Sequence, residues 1–188
     1  ADMVAMGRPL LADPDWGTKI AAGKACDIRR CISCNKGCTD AIQNRQFLSC
    51  VLNAENGYEN TRSIQPAAQK KKIAVIGGGP AGLEAARVAA RRGHDVTLFE
   101  KTTTLGGQLN IACVPPRKEE MRRAAQDLIH AVCNAGVHLC MGQTRTAEQL
   151  KGAGFEAVIN AVGAHSAAPR IPGIDSVNVA DAWKVLAG

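Results

Sequence analysis

Ile73-Ala74-Val75-Ile76-Gly77-Gly78-Gly79-Pro80-Ala81-Gly82 is an apolar run that meets a glycine turn and passes directly into an alanine-rich segment, residues 80–92. The run has no polar alternation, as expected of a strand buried on both faces of a parallel sheet. Gly77, Gly79 and Gly82 follow the spacing G-x-G-x-x-G with a strand before it and a helix after it, the context in which this spacing binds a dinucleotide. The three glycines have separate duties. Gly77 permits the tight turn, Gly79 lets the backbone approach a pyrophosphate, and Gly82 allows the helix to pack closely on the strand. The helix N-terminus then faces the phosphates with free N–H groups and the positive end of its dipole.

Outward from this turn, a second apolar segment, 95–100, ends on Glu100, where an acid accepts ribose hydroxyls. An acid here disfavours a 2'-phosphate, so the adenosine is that of FAD or NAD and not of NADP. The pattern continues with a loop, a helix over 117–135, a strand over 137–140, a short helix near 146–152 and a strand over 157–162. Such alternation predicts an α/β fold with parallel strands, a Rossmann-like FAD/NAD(P)-binding domain spanning residues 70–188.

Before this domain, Lys70-Lys71-Lys72 closes a polar, turn-rich linker that begins at Asn53. Residues 26–69 contain Cys31-x2-Cys34-x3-Cys38-x11-Cys50. Four thiolates are what a 4Fe-4S cube requires, one per iron, and the close trio can wrap three corners of it. Zinc also accepts four thiolates, usually from two paired C-x-x-C knuckles, of which only one is present; unliganded buried thiols are the third reading. Cys26 is a spare thiol nearby. Cys113, Cys133 and Cys140 stand where small buried thiols pack in a core, although Cys113 also follows a loop that could approach a flavin. His94, His130, His138 and His165 have no partner at ligand or triad spacing, and no chemistry is assigned to them. Residues 1–25 read as a strand, Ala1 to Met6, a break at Gly7-Arg8-Pro9, and a helix from about Pro14 to Ala22 capped by Asp13.

Composition narrows the classes. The chain has 188 residues, 46% hydrophobic, with no apolar run near the roughly 20 residues of a membrane helix. A net charge of +6 is scattered, and only 3% of residues are aromatic, so a nucleic-acid surface of clustered bases and stacking rings is not expected. Eight cysteines without an export signal predict reduced or metal-bound thiols and a cytoplasmic protein. The sequence opens on Ala1 rather than Met, and one strand with one helix cannot bury a core, so a piece of a longer protein is expected.

Leu105-Gly106-Gly107-Gln108 after the second strand resembles the loop that lies along FAD in two-dinucleotide flavoprotein reductases, and Ala161-Val162-Gly163-Ala164 is similar to their second FAD-contacting turn. The whole order, from Ala1-Asp2-Met3-Val4-Ala5-Met6-Gly7-Arg8-Pro9 through the cysteines to the glycine turn, resembles the 2,4-dienoyl-CoA reductase, enoate reductase and trimethylamine dehydrogenase family. The resemblance implies that residues 1–25 are the last strand and helix of an FMN-binding TIM barrel, with Gly7 and Arg8 at the FMN phosphate. It implies a 4Fe-4S cluster on Cys31, Cys34, Cys38 and Cys50. It places Ala81, Glu100, Gln108, Lys118 and the backbone near Arg145 on FAD, and makes residues 70–188 the first half of the FAD domain. At Arg117 the family tends to have Gly. The gap of three residues after Cys34 favours the dienoyl-CoA and enoate reductases over the amine dehydrogenases. The implied path runs from NAD(P)H to FAD, through the cluster to FMN, and then to the activated C=C bond of a small enoate or enoyl-CoA, with substrate pocket and nicotinamide domain outside these residues. A homo-oligomer is compatible with it. An amine-dehydrogenase-like branch, or a non-redox ADP or NAD module with a zinc site, is the alternative.

Overall fold

The computed structural model describes residues 2–188; Ala1, expected at the start of the first strand, lies outside the described residues. Its centre is a parallel sheet of β1 (Lys72–Ile76), β2 (Asp95–Glu100), β3 (His138–Met141) and β4 (Ala157–Asn160), in the order β3-β2-β1-β4. Pairing sets Ile73 beside Val96 and Val75 beside Leu98, so these four side chains share one face. That face is covered by the helix Pro80–Arg91 and the helix Glu119–Asn134, whose Leu83, Ala86, Ala89 and Val132 complete the main core. Leu83, Leu98, Val75, Val96 and Val132 are fully buried, each contributing about 2 kcal/mol. The opposite face carries Ala74 and Phe99 under Leu150 of the helix Ala147–Gly152, with Phe155 edge-on to Phe99. Thr146 and Gln149 cap that helix reciprocally.

In chain order the helices are α1 (Arg8–Ala12), α2 (Trp16–Ala21), α3 (Thr39–Gln43), α4 (Glu59–Arg62), α5 (Pro80–Arg91), α6 (Leu109–Ala112), α7 (Glu119–Asn134), α8 (Ala147–Gly152) and α9 (Ala182–Ala187). The expected helix over 117–135 begins at Glu119, because Arg117 is left-handed, with φ +64°. The expected strand over 157–162 stops at Asn160, whose side chain accepts the Val162 N–H. Cys113 is buried and Cys140 is partly so, but Cys133, expected in a core, is exposed: it follows Val132, and the helical turn that buries Val132 points its neighbour to water. No helix among the described residues is long and apolar enough to cross a membrane.

Residues 2–6 form no strand, and Met3 and Val4 stand 92% and 81% exposed. A strand needs a neighbour to pair its N–H and C=O groups, and none of the four strands runs beside this segment. Asp13 does not cap the following helix, which starts at Trp16 after Asp15. Its buried carboxylate accepts instead from Lys19 Nζ at 2.6 Å, the Arg29 N–H at 2.8 Å and the Asp15 N–H at 3.2 Å. Asn53 Nδ2 donates to Leu11 O, and Arg8 donates to Asn35 Oδ1. These bonds knit residues 8–13 to the cysteine segment. That segment in turn docks on α7, where Asp127 takes the Arg30 guanidinium and the Arg30 N–H, and Asp27 takes His130.

Candidate dinucleotide site and cysteine centre

The glycine turn lies at the carboxyl edge of the sheet, where β2 and β4 flank β1 on opposite sides and the chain reverses its winding. Open α/β sheets bind ligands at this point. Gly77 has φ +108°, and a Cβ on it would lie 2.3 Å from Ala161 O at the end of β4. A Cβ on Gly82 would lie 1.9 Å from Gly77 O, so α5 rests directly on the turn. Gly79 differs from both. Its backbone is extended, and the nearest atom to an added Cβ is Gly107 Cα at 4.0 Å. Nothing within the chain requires glycine there, and the open space lies beside the first turn of α5, with Ala81 exposed next to it.

Two further loops close on this turn. Gly106 N–H donates to Gly78 O at 2.9 Å, and a Cβ on Gly107 would meet Gly79 Cα at 2.8 Å. Gln108 Nε2 donates to Ala164 O at 3.0 Å, tying the second loop to the turn after β4, where Gly163 has φ +83°. Segments 77–82, 105–108 and 161–164 therefore form one cradle. Arg117 holds a left-handed conformation that a side chain resists and a glycine does not. Lys118 precedes α7 and is exposed. Arg145 follows β3, bonds Gln143 and Thr144 O, and lies 5.0 Å over the Phe99 ring at the same sheet edge.

Glu100 ends β2 with its carboxylate turned to the glycine turn and 7% exposed. Oε2 accepts the Gly78 N–H at 2.6 Å, while Oε1 accepts the Thr102 N–H at 2.8 Å and its hydroxyl at 2.9 Å. An ionised carboxylate has about four acceptor sites, so one remains for a ligand hydroxyl. Burial pushes this carboxyl up, but the bonds from Thr102 and Gly78 outweigh it and hold the group below the usual 4.5. The stabilisation is complete above the ordinary value and is lost as pH falls through the lower, folded one. Glu100→Gln keeps the shape but turns an amide donor toward N–H groups, at a cost of about 1–3 kcal/mol near neutral pH. The gap to wild type is expected to close as the solution is acidified, measured by urea unfolding; a gap constant down to about pH 3 would overturn this.

Cys31, Cys34, Cys38 and Cys50 line one small cavity of about 20 Å³, with no acid or histidine in its wall. All eight cysteines of the chain are free thiols. A lone zinc with bonds of about 2.3 Å would hold its sulfurs about 3.8 Å apart. Among the described residues, the group of three or more ligand atoms lying within 4.8 Å of one another is Cys26, Asp27 and His130, and no three of the four cysteines form such a group. The soft, all-sulfur donor set and its spread fit a polynuclear cluster better than a single ion. Ser33 and Asn35 have φ +54° and +58°, and the Ser33 N–H points at Cys31 Sγ at 3.4 Å, the kind of bond that tunes a bound cluster. Gly7 caps α1, and Arg8 lines this same cavity.

Cys50 also lines a second, larger cleft of about 540 Å³ that runs between the cysteine segment, α5 and α7 and reaches Pro80, the first residue of α5. Neither this cleft nor the meeting of Cys26, Asp27 and His130 is legible in the sequence, because Asp27 and His130 lie 103 residues apart along the chain.

Residues 71–185 match the family described as pyridine nucleotide-disulphide oxidoreductase. Over 98% of its length the chain is 59% identical to bilirubin reductase of Mediterraneibacter gnavus, and over 96% it is 39% identical to cinnamate reductase of Clostridium sporogenes. It spans 29% and 27% of those two proteins. Its fold superposes on 97% of its length with a structure of 2-naphthoyl-CoA reductase, at TM-score 0.92 and 34% identity, covering 28% of that chain. The chain belongs to the pyridine nucleotide-disulphide oxidoreductases, within the flavoprotein group of the enoate reductases and trimethylamine dehydrogenase.

Proposed function

We propose that this chain carries the FAD and 4Fe-4S portion of an NAD(P)H-dependent flavin reductase that delivers electrons to FMN for reduction of an activated C=C bond. The observation that carries the reading is the shared position of Cys50, which lines both the cysteine cavity and the cleft that reaches Pro80 at the start of α5. It supports reading the two candidate centres as neighbours. When bound, FAD exchanges electron pairs with a nicotinamide, and a 4Fe-4S cluster passes single electrons onward.

In this reading the turn of Gly77, Gly79, Ala81 and Gly82 sets the first free N–H groups of α5 against the FAD pyrophosphate, and Glu100 takes a ribose hydroxyl on its free acceptor site. Gln108, Lys118 and the backbone near Arg145 border the remainder of FAD. Cys31, Cys34, Cys38 and Cys50 ligate the cluster. Residues 1–25 belong to an FMN-binding barrel, with Gly7 and Arg8 at the FMN phosphate; residues 26–69 form the cluster segment and linker, and residues 70–188 the first half of the FAD domain. The exposed Met3 and Val4 support that division, since a barrel strand leaves its apolar side chains bare without its neighbours. The names of the relatives, cinnamate reductase and 2-naphthoyl-CoA reductase among them, support an unsaturated small molecule as substrate. The free thiols support a reducing compartment, the cytoplasm.

The test is composition. Protein purified without oxygen is expected to be brown, to contain iron and sulfide each near about four per chain, and to release FAD on denaturation. Zinc in place of iron, or ADP or NAD in place of FAD, overturns the reading.

A further inference from the structure

Asp27 Oδ1 lies 2.7 Å from His130 Nε2 and 3.9 Å from Cys26 Sγ, and the three ligand atoms all fall within 4.8 Å of one another. None of the three belongs to the four-cysteine cavity. We infer that Cys26, Asp27 and His130 form a second metal site, for a zinc-class divalent cation, that clamps the cysteine segment onto α7.

The donor set of thiolate, carboxylate and imidazole is one that zinc accepts, with bonds of about 2.0–2.3 Å and hence ligand separations of about 3.3–3.8 Å. The observed separations straddle that range, so the Asp27–His130 contact opens by about half an ångström when an ion enters between them. Asn134 Nδ2 lies 2.8 Å from both this Asp27 oxygen and His130 Nε2, bridging the two ligands, and an entering ion displaces it from the ring nitrogen. A nearby acid, Asp127, is engaged by Arg30 and does not compete. Asp27 and His130 also border the large cleft, which leaves the fourth coordination position open to water. On binding, the Cys26 thiol releases its proton to solvent and the imidazole proton resides on Nδ1, so one dication meets one thiolate and one carboxylate without net charge. The ligands come from elements 103 residues apart in sequence, so the ion stabilises the docking of one on the other.

The site is independent of the cluster assignment, and its test keeps the two apart. Cluster-loaded protein is dialysed against zinc(II) sulfate, and zinc and iron are counted together. One zinc per chain is expected with iron unchanged. Cys26→Ser and His130→Ala should each weaken zinc binding at least tenfold, while Cys133→Ser, an exposed thiol on α7, should leave it unchanged. Zinc should also raise the thermal midpoint of the wild type and not that of Cys26→Ser. Equal zinc binding by wild type and both variants, zinc gained only as iron is lost, or no zinc bound, each overturns the site.

Discussion

Gly82→Ala is expected to destabilise the protein by about 3 kcal/mol, lowering its thermal midpoint by about 6–12 °C for a chain of this size. The added Cβ would sit 1.9 Å from Gly77 O, 3.0 Å from Gly77 C and 3.3 Å from Ala161 Cβ. The turn cannot withdraw, because Gly77 N–H is bonded to Phe99 O and Ala161 N–H to Ile76 O, each at 2.8 Å. The strain therefore falls on α5, which must lift off the sheet and loosen Leu83 and Ala86, both fully buried. Overpacking of this kind costs about 1–3 kcal/mol, and a clash with backbone rather than a flexible side chain lies at the upper end. Denaturant unfolding measures it. A variant within about 0.5 kcal/mol of wild type would show that helix and turn are not in contact.

The same close packing explains why so much of the domain was legible beforehand. Ile73 to Ile76 and Val96 to Phe99 are apolar enough to be buried on two faces, and glycine marks the turn that joins them through α5, so β1, α5 and β2 fell within a residue of expectation. Misses arose where one local conformation decided a boundary. Arg117 in the left-handed region delays α7, and Asn160 ends β4 by accepting a main-chain N–H. Propensity does not encode either event.

At the N-terminus the miss has another origin. Ala1 to Met6 has the composition of a strand, but a strand exists only with a partner, and residues 2–6 have none among the described strands. Asp13 likewise has the sequence signature of a cap, yet the three donors gathered by the fold draw it inside. That Cys31, Cys34, Cys38 and Cys50 gather at one cavity was readable because they are close in sequence. The trio of Cys26, Asp27 and His130 was not, since only the docking of the cysteine segment on α7 brings the histidine to the other two.

Gly79→Val separates recognition from folding, and its expected result is the reverse of that for Gly82. The Gly79 backbone, φ −75° and ψ 178°, suits any residue, and the extended form is the one favoured before a proline such as Pro80. An added Cβ meets no atom closer than 4.0 Å, so stability should change by less than about 1 kcal/mol. The valine methyl groups instead enter the open space before the first turn of α5, where a pyrophosphate would approach the free N–H groups. Losing one hydrogen bond to a charged oxygen costs about 1.5–3 kcal/mol, and a displaced phosphate loses more than one. FAD affinity, read from flavin retained at equilibrium dialysis, should therefore fall about a hundredfold or more. Unchanged flavin retention in a stably folded variant would remove the pyrophosphate from this turn. A fold as damaged as that of Gly82→Ala would show that Gly79 serves the chain itself and not a ligand.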